Sequence, residues 1–76
     1  MPHVIVKMYP GKSDEQKTRI AAEITKAVMA SAGSGEDAVS VAIEDVKPED
    51  WAETVFRPEI LGKSEMLFKK PGYDPL

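Results

Sequence analysis

The sequence predicts an α+β fold in which two parallel strands are joined by one long helix. Residues 3–9 (HVIVKMY) and 38–46 (AVSVAIEDV) are rich in the β-branched residues that favour strands. The segment between them has the apolar spacing of an amphipathic helix. Two strands joined by a helix of about twenty residues form a crossover, and this connection requires parallel strands and is right-handed. A β-α-β unit is therefore the predicted core.

The first strand is predicted to end at Pro10-Gly11, because this pair is typical of a turn. Side chains alternate between the two faces of a strand. One face therefore carries Val4, Val6 and Met8, and the other carries His3, Ile5 and Lys7. Because Ile5 is apolar, we expect the second face to be covered as well.

The long helix is predicted to begin after Ser13. Ser13 suits the N-cap, and Gln16 stands three residues later, so the two residues form a capping box. Gly33 supplies the positive φ that ends a helix. The stripe expected to face the sheet consists of Ile20, Ile24, Ala27 and Val28. The residues expected to stay off this stripe are Lys17, Arg19, Glu23 and Lys26.

The last third of the chain is predicted to hold a short second helix and a short C-terminal strand. Pro48 suits the first turn of a helix (PEDWAETVF), and Pro58 is expected to end it, because an interior proline lacks the required N–H group. Residues 66–70 (MLFKK) are predicted to form the strand. No repeat, low-complexity tract or linker interrupts the chain, so residues 1–76 are expected to form one domain.

Composition argues against several classes of partner. Ten Lys and Arg against thirteen Asp and Glu give a net charge of -3, without the basic excess that nucleic acid binding requires. There is no cysteine, and His3 alone cannot form a metal cluster. The start MPHVIVK has no basic n-region followed by a long apolar stretch, and no later run approaches the roughly 20 apolar residues of a membrane span. A cytoplasmic protein that does not associate with membranes is therefore expected. A chain this short buries only about 60% of its unfolded surface, which favours self-association.

These features together resemble the 4-oxalocrotonate tautomerase family over the entire chain. The residues that carry the resemblance are Pro2 at the start of a strand, the stretch SDEQK that opens the helix, the second strand and the short tail. The ending EDWAETVFRPEILGKSEMLFKKPGY is more similar to the small bacterial tautomerases that act on phenylpyruvate-like enols. The resemblance implies a tautomerase-like fold, cofactor-free isomerisation of small 2-oxo or 2-hydroxy-alkenoic acids, and a homo-oligomer, with a dimer as the first expectation.

The resemblance also implies the site residues. The catalytic proline falls on Pro2, whose nitrogen becomes a free secondary amine when Met1 is removed. The first arginine of the family falls on Lys12, which keeps the charge but not the bidentate grip on a carboxylate. The second arginine falls on Ser40, and the aromatic wall residue falls near Trp51. One lysine and one hydroxyl favour a monocarboxylate with an apolar or aromatic body over a dicarboxylate.

Pro2 requires a lowered pKa to act as a base at neutral pH. An α-amine has a pKa of about 7.7–8.0, and desolvation or a nearby cation lowers it. Trp51 and Val39 are candidates for the first effect, and Lys12 is the candidate for the second. The donor to the developing oxyanion is a backbone N–H group, the Ser40 hydroxyl or an ordered water.

Each candidate also has a structural interpretation. Proline is tolerated at the first position of a strand, and tryptophan is often a packing anchor. His3 is either a packed residue or a proton relay.

Two other function classes stay open: a non-catalytic oligomeric binding protein of the same fold, and a hydratase or dehalogenase that uses Asp50 or Glu53 to position water. Retention of Met1 would favour the binding protein, because the nitrogen of Pro2 would then be an amide.

Overall fold

The computed structural model describes residues 1–76, which form two compact units, Met1–Asp45 and Val46–Leu76. The first unit contains strand β1 (His3–Met8), helix α1 (Asp14–Ala32), a 3₁₀ turn (Glu36–Ala38) and strand β2 (Ser40–Asp45). The second contains helix α2 (Pro48–Trp51), a π-helix (Ala52–Leu61) and a 3₁₀ turn (Ser64–Met66). None of these helices has both the length and the apolar character needed to cross a membrane.

The two strands pair in parallel, as the sequence predicts. Val4 lies opposite Val41 and Val6 lies opposite Ile43, so the apolar positions of both strands share one face. β2 begins at Ser40, two residues later than expected. The preceding residues form the 3₁₀ turn instead, and the N–H group of Val39 donates to the carbonyl of Glu36.

Both predicted ends of α1 are confirmed. The Ser13 hydroxyl accepts from the Gln16 N–H group at 3.1 Å, and the Gln16 side chain accepts from the Ser13 N–H group at 2.9 Å. Gly33 ends the helix with φ 73°, and its N–H group donates to the Met29 carbonyl. Local capping therefore determines where this helix begins and ends.

The face of α1 that packs on the sheet is shifted from the predicted stripe. Ile20, Ile24 and Val28 are half-buried as expected, whereas Ala27 is exposed. Lys17 was expected to stay off the stripe and instead lies on it, three residues before Ile20. Its ammonium donates to Asp45 Oδ2 at 2.9 Å. The long lysine stem can cover apolar surface while its charged end reaches a carboxylate at the end of β2.

Pro58 does not end the second helix, so that prediction is wrong. The helix widens after Trp51 and continues to Leu61, with Pro58 inside it. The N–H group of Gly62 donates to the carbonyl of Arg57, five residues back, at 2.8 Å. In an α-helix, the ring of a proline clashes with the carbonyl four residues before it. The wider turns of a π-helix move this carbonyl, so the proline can lie inside the helix. The only buried side chains of the protein, Val55 and Phe56, lie in this segment.

The strand predicted at residues 66–70 is also absent. Met66 closes a 3₁₀ turn by donating to the Lys63 carbonyl, and Leu67 donates to the Ser64 carbonyl. Leu67 has extended backbone angles but pairs with no strand, and the side chain of Phe68 is fully exposed. A β-rich segment becomes a strand only where another backbone satisfies its hydrogen bonds, and the sheet contains β1 and β2 alone.

We expect Gly62→Ala to destabilise the protein by about 1–3 kcal/mol, because an added methyl group has no room. A Cβ at this position would lie 2.5 Å from the Pro58 carbonyl oxygen, which is backbone and cannot turn aside. The free energy of unfolding in urea measures the effect.

Gly35→Ala is the matched control. Gly35 has φ -76°, and a Cβ there would meet nothing within 4 Å. This variant should stay within about 1 kcal/mol of the parent. Equal stability of the two variants would contradict the close approach at Gly62.

Candidate active site

Pro2 is attached to the start of the sheet. It is half-buried, and its carbonyl accepts a hydrogen bond from the Ser40 N–H group at 3.1 Å. This bond continues the parallel ladder by one step beyond the His3 and Ser40 pair. The backbone of Pro2 is therefore held beside the first residue of β2, although Pro2 precedes β1.

Ser40 contacts the N-terminal segment through its side chain as well. Its hydroxyl lies 2.6 Å from the Nδ1 atom of His3 on the neighbouring strand. A hydroxyl has one donor and two acceptor positions. If His3 carries its proton on Nδ1, the ring donates to Ser40, and the hydroxyl keeps its own proton for another acceptor. The structure thus brings Pro2, His3 and Ser40 together at one end of the sheet.

The same face of the sheet continues away from Pro2 as two further cross-strand pairs. Ile5 lies opposite Ala42, and Lys7 lies opposite Glu44. The Lys7 ammonium is 3.6 Å from a carboxylate oxygen of Glu44. Ile5 is 57% exposed. This sheet face therefore has a polar pair at the Pro2 end, an apolar middle and an ion pair at the other end.

Lys12 lies in the turn between β1 and α1. Gly11 precedes it with φ 124°, a conformation that residues with a side chain rarely adopt. Lys12 is exposed and is not part of the ion pairs that hold Lys7, Lys17 and Lys26. Lys12 thus lies on the surface of the first unit.

Trp51 lies in the second unit, at the point where α2 widens into the π-helix. It is half-buried, and its indole Nε1 atom donates to the Tyr73 hydroxyl at 2.9 Å. The Tyr73 ring in turn packs on Phe56, with ring centroids 5.6 Å apart. Sequence reasoning missed Tyr73, because the contact joins residues 22 positions apart and no local pattern encodes it. The Pro71-Gly72 turn was the one available signal that the chain changes direction there.

The two carboxylates considered for positioning water, Asp50 and Glu53, both lie in the second unit. Glu53 is paired with Arg57, whose Nε atom lies 2.8 Å from a carboxylate oxygen. At Asp50, the backbone carbonyl accepts a hydrogen bond from the Thr54 hydroxyl. No group of three histidine, cysteine, aspartate or glutamate side chains is arranged to hold a metal ion. No specific observation therefore favours hydration or dehalogenation.

Comparison with known proteins identifies the family of this chain. A family model described as tautomerase enzyme matches residues 2–56, a range that begins at Pro2 and includes Lys12, Ser40 and Trp51. Tautomerase PptA of Klebsiella pneumoniae (strain 342) is 46% identical over 74 residues, which cover 96% of this chain and 97% of that protein.

Two solved structures share the fold. YwhB, a homologue of 4-oxalocrotonate tautomerase, is 36% identical, with a TM-score of 0.65 over 70% of this chain and 87% of that one. A 4-oxalocrotonate tautomerase isozyme from Methylibium petroleiphilum is 32% identical, with a TM-score of 0.63 over 66% of this chain and 81% of that one. The α+β fold with two parallel strands is thus that of the 4-oxalocrotonate tautomerase homologues, and the chain belongs to the tautomerase family of isomerases.

Proposed function

We propose that the protein interconverts the enol and keto forms of small 2-oxo and 2-hydroxy-alkenoic acids, with Pro2 as the general base after removal of Met1. The observation that carries this proposal is the hydrogen bond from the Ser40 N–H group to the Pro2 carbonyl. It anchors the residue that bears the amine, because the carbonyl and the nitrogen of Pro2 are bonded to the same Cα atom. A positioned base is what proton transfer requires.

The proposed reaction moves one proton from oxygen to carbon. The Pro2 nitrogen takes the proton of the enol hydroxyl, and the oxygen lone pair forms the C=O bond. The electron pair of the C=C bond moves to the terminal enol carbon, which takes the proton back from the Pro2 ammonium. The amine is regenerated, and no atom or electron is gained or lost.

The base must be neutral at the working pH for this reaction. Desolvation of the Pro2 amine would disfavour its ammonium form, and a cation near the bound substrate would act in the same direction. We therefore expect kcat/KM to rise with pH through the pKa of the Pro2 amine and then to level off. With Met1 retained, the nitrogen is an amide and has no lone pair to accept a proton.

Lys12 and Trp51 are the residues that we propose for substrate binding. Lys12 would pair with the carboxylate as a single charge, and Trp51 would contact the apolar body. Solved relatives are named for 4-oxalocrotonate, which carries two carboxylates. With a lysine and Ser40 as the polar contacts, this chain is better suited to a monocarboxylate such as the phenylpyruvate enol.

We expect Pro2→Ala to lower kcat/KM and protein that keeps Met1 to lose nearly all activity. The first change leaves a primary amine that is less well fixed, whereas the second removes the base, whose contribution is typically about 10²–10⁴-fold. Ketonisation of the phenylpyruvate enol, followed by absorbance, gives the rates, and mass spectrometry verifies each N-terminus. Equal rates with and without Met1 would rule out Pro2 as the base.

Lys12→Ala should raise KM for phenylpyruvate about tenfold with kcat little changed, since one partly exposed charge-assisted contact is lost from both the ground state and the transition state. Lys70→Ala, at another exposed lysine, is the control and should leave KM unchanged. An ester of the same enol, which has no carboxylate charge, identifies the contact. If Lys12→Ala lowers the affinity for the ester and for the acid equally, Lys12 does not bind the carboxylate.

Ser40 is proposed to donate its hydroxyl proton to the substrate oxygen while His3 holds the hydroxyl in place. Ser40→Ala should then lower kcat at least about tenfold with a smaller effect on KM, because the donor acts on charge that develops in the transition state. Ser34→Ala is the control. An unchanged kcat in Ser40→Ala would assign the donor to a backbone N–H group or to water.

We also propose that a second copy of the chain covers the sheet face that carries Ile5 and Ala42, giving a homodimer. An exposed isoleucine in the middle of a sheet is unfavourable in water, and a chain this small gains stability from such an interface. Light scattering at micromolar concentration should show at least a dimer, and Ile5→Glu should shift the protein towards monomer. Ala22→Glu, on the exposed side of α1, should not. A stable monomeric parent protein would refute this assembly.

A further inference from the structure

The only tryptophan of the protein is hydrogen-bonded to the C-terminal tail. The indole ring has one polar group, the Nε1–H, which is a donor only. The Tyr73 hydroxyl accepts from it at 2.9 Å. This bond satisfies the polar group of Trp51 and restricts rotation of the ring about its bond to Cβ.

Tyr73 is itself held by the π-helix. Its ring lies 5.6 Å from that of Phe56 with an interplanar angle of 48°, and Phe56 is one of the two buried side chains. Trp51 and Phe56 are five residues apart, which would place them about 140° apart around an α-helix. A π-helix turns through a smaller angle per residue, which brings the two side chains closer to one face, and both contact the same tyrosine. The widened helix and the tail thus form one aromatic cluster, made of Trp51, Phe56 and Tyr73.

We infer that Tyr73 is a positioning residue for Trp51 and, through it, determines the preference for substrates with an aromatic body. The inference rests on the proposed function, because it takes Trp51 as the residue that contacts the apolar part of the substrate. With Tyr73 in place, the N–H edge of the indole is bound and the ring offers apolar surface. Without the hydroxyl, the N–H group requires another acceptor, and the ring can rotate.

The structural part of the inference is tested without substrate. A single tryptophan gives a single indole N–H signal in an NMR spectrum. Tyr73→Phe keeps the ring contact with Phe56 and removes only the hydroxyl. In this variant the indole signal should shift, and its hydrogen should exchange with solvent faster than in the parent.

Asp74→Ala is the control for a general loosening of the tail, because Asp74 accepts from the Leu76 N–H group at 2.9 Å and is not part of the aromatic cluster. This variant should leave the indole signal in place. Tyr73→Leu removes ring and hydroxyl together, and its effect should be at least as large as that of Tyr73→Phe. An indole signal that is unchanged in Tyr73→Phe would overturn the inference.

The functional part compares two substrates. Tyr73→Phe should raise KM for the phenylpyruvate enol about three- to tenfold, the usual effect of one neutral hydrogen bond, with kcat unchanged. KM for 2-hydroxymuconate, which has no aromatic ring, should not change. A structural role alone would affect both substrates equally, so an equal rise in the two KM values would also overturn the inference.

Failure of the proposed function gives a different result. If the parent protein has no tautomerase activity, phenylpyruvate can still be titrated while the indole signal is observed. A shift that saturates in the parent, and requires more ligand in Tyr73→Phe, would support the positioning role. No shift at any concentration would overturn it.

Discussion

The parallel pairing of β1 with β2 is the interaction on which the candidate site depends. It brings Pro2 next to Ser40, although 37 positions separate Ser40 from the neighbouring His3. The register matters as much as the pairing, because a slip of one residue would move every side chain of a strand to the opposite face. The hydroxyl of Ser40 would then point towards α1, and the apolar contacts of that helix would be lost.

This register also divides the sheet into two faces that carry different side chains. α1 packs on the face that carries the valine side chains, and the Lys17–Asp45 ion pair links the helix to the end of β2. The other face has His3 and Ser40 at one end and Lys7 and Glu44 at the other. We propose that the polar end with His3 and Ser40 takes part in catalysis and that the apolar middle with Ile5 contacts a second copy of the chain.

The second unit depends on a different constraint, the backbone of a helix that contains a proline. Widening of the helix accommodates Pro58, requires glycine at position 62, and spaces Trp51 and Phe56 so that Tyr73 contacts both. The proposed base and the proposed apolar contact thus belong to different units. We therefore expect substitutions in the tail to act on the proposed apolar contact and not on Pro2.

The sequence by itself determined the features whose causes are local. The capping box at Ser13, the glycine end of α1 and the alternation in both strands each act within a few residues, so the β-α-β core and the family could be predicted from them. Only the tertiary structure decided the remainder. The bonds between His3 and Ser40 and between Trp51 and Tyr73 join distant residues, so no local pattern encodes them. Residues 66–70 have the composition of a strand but form none, because a strand exists only where a second backbone pairs with it.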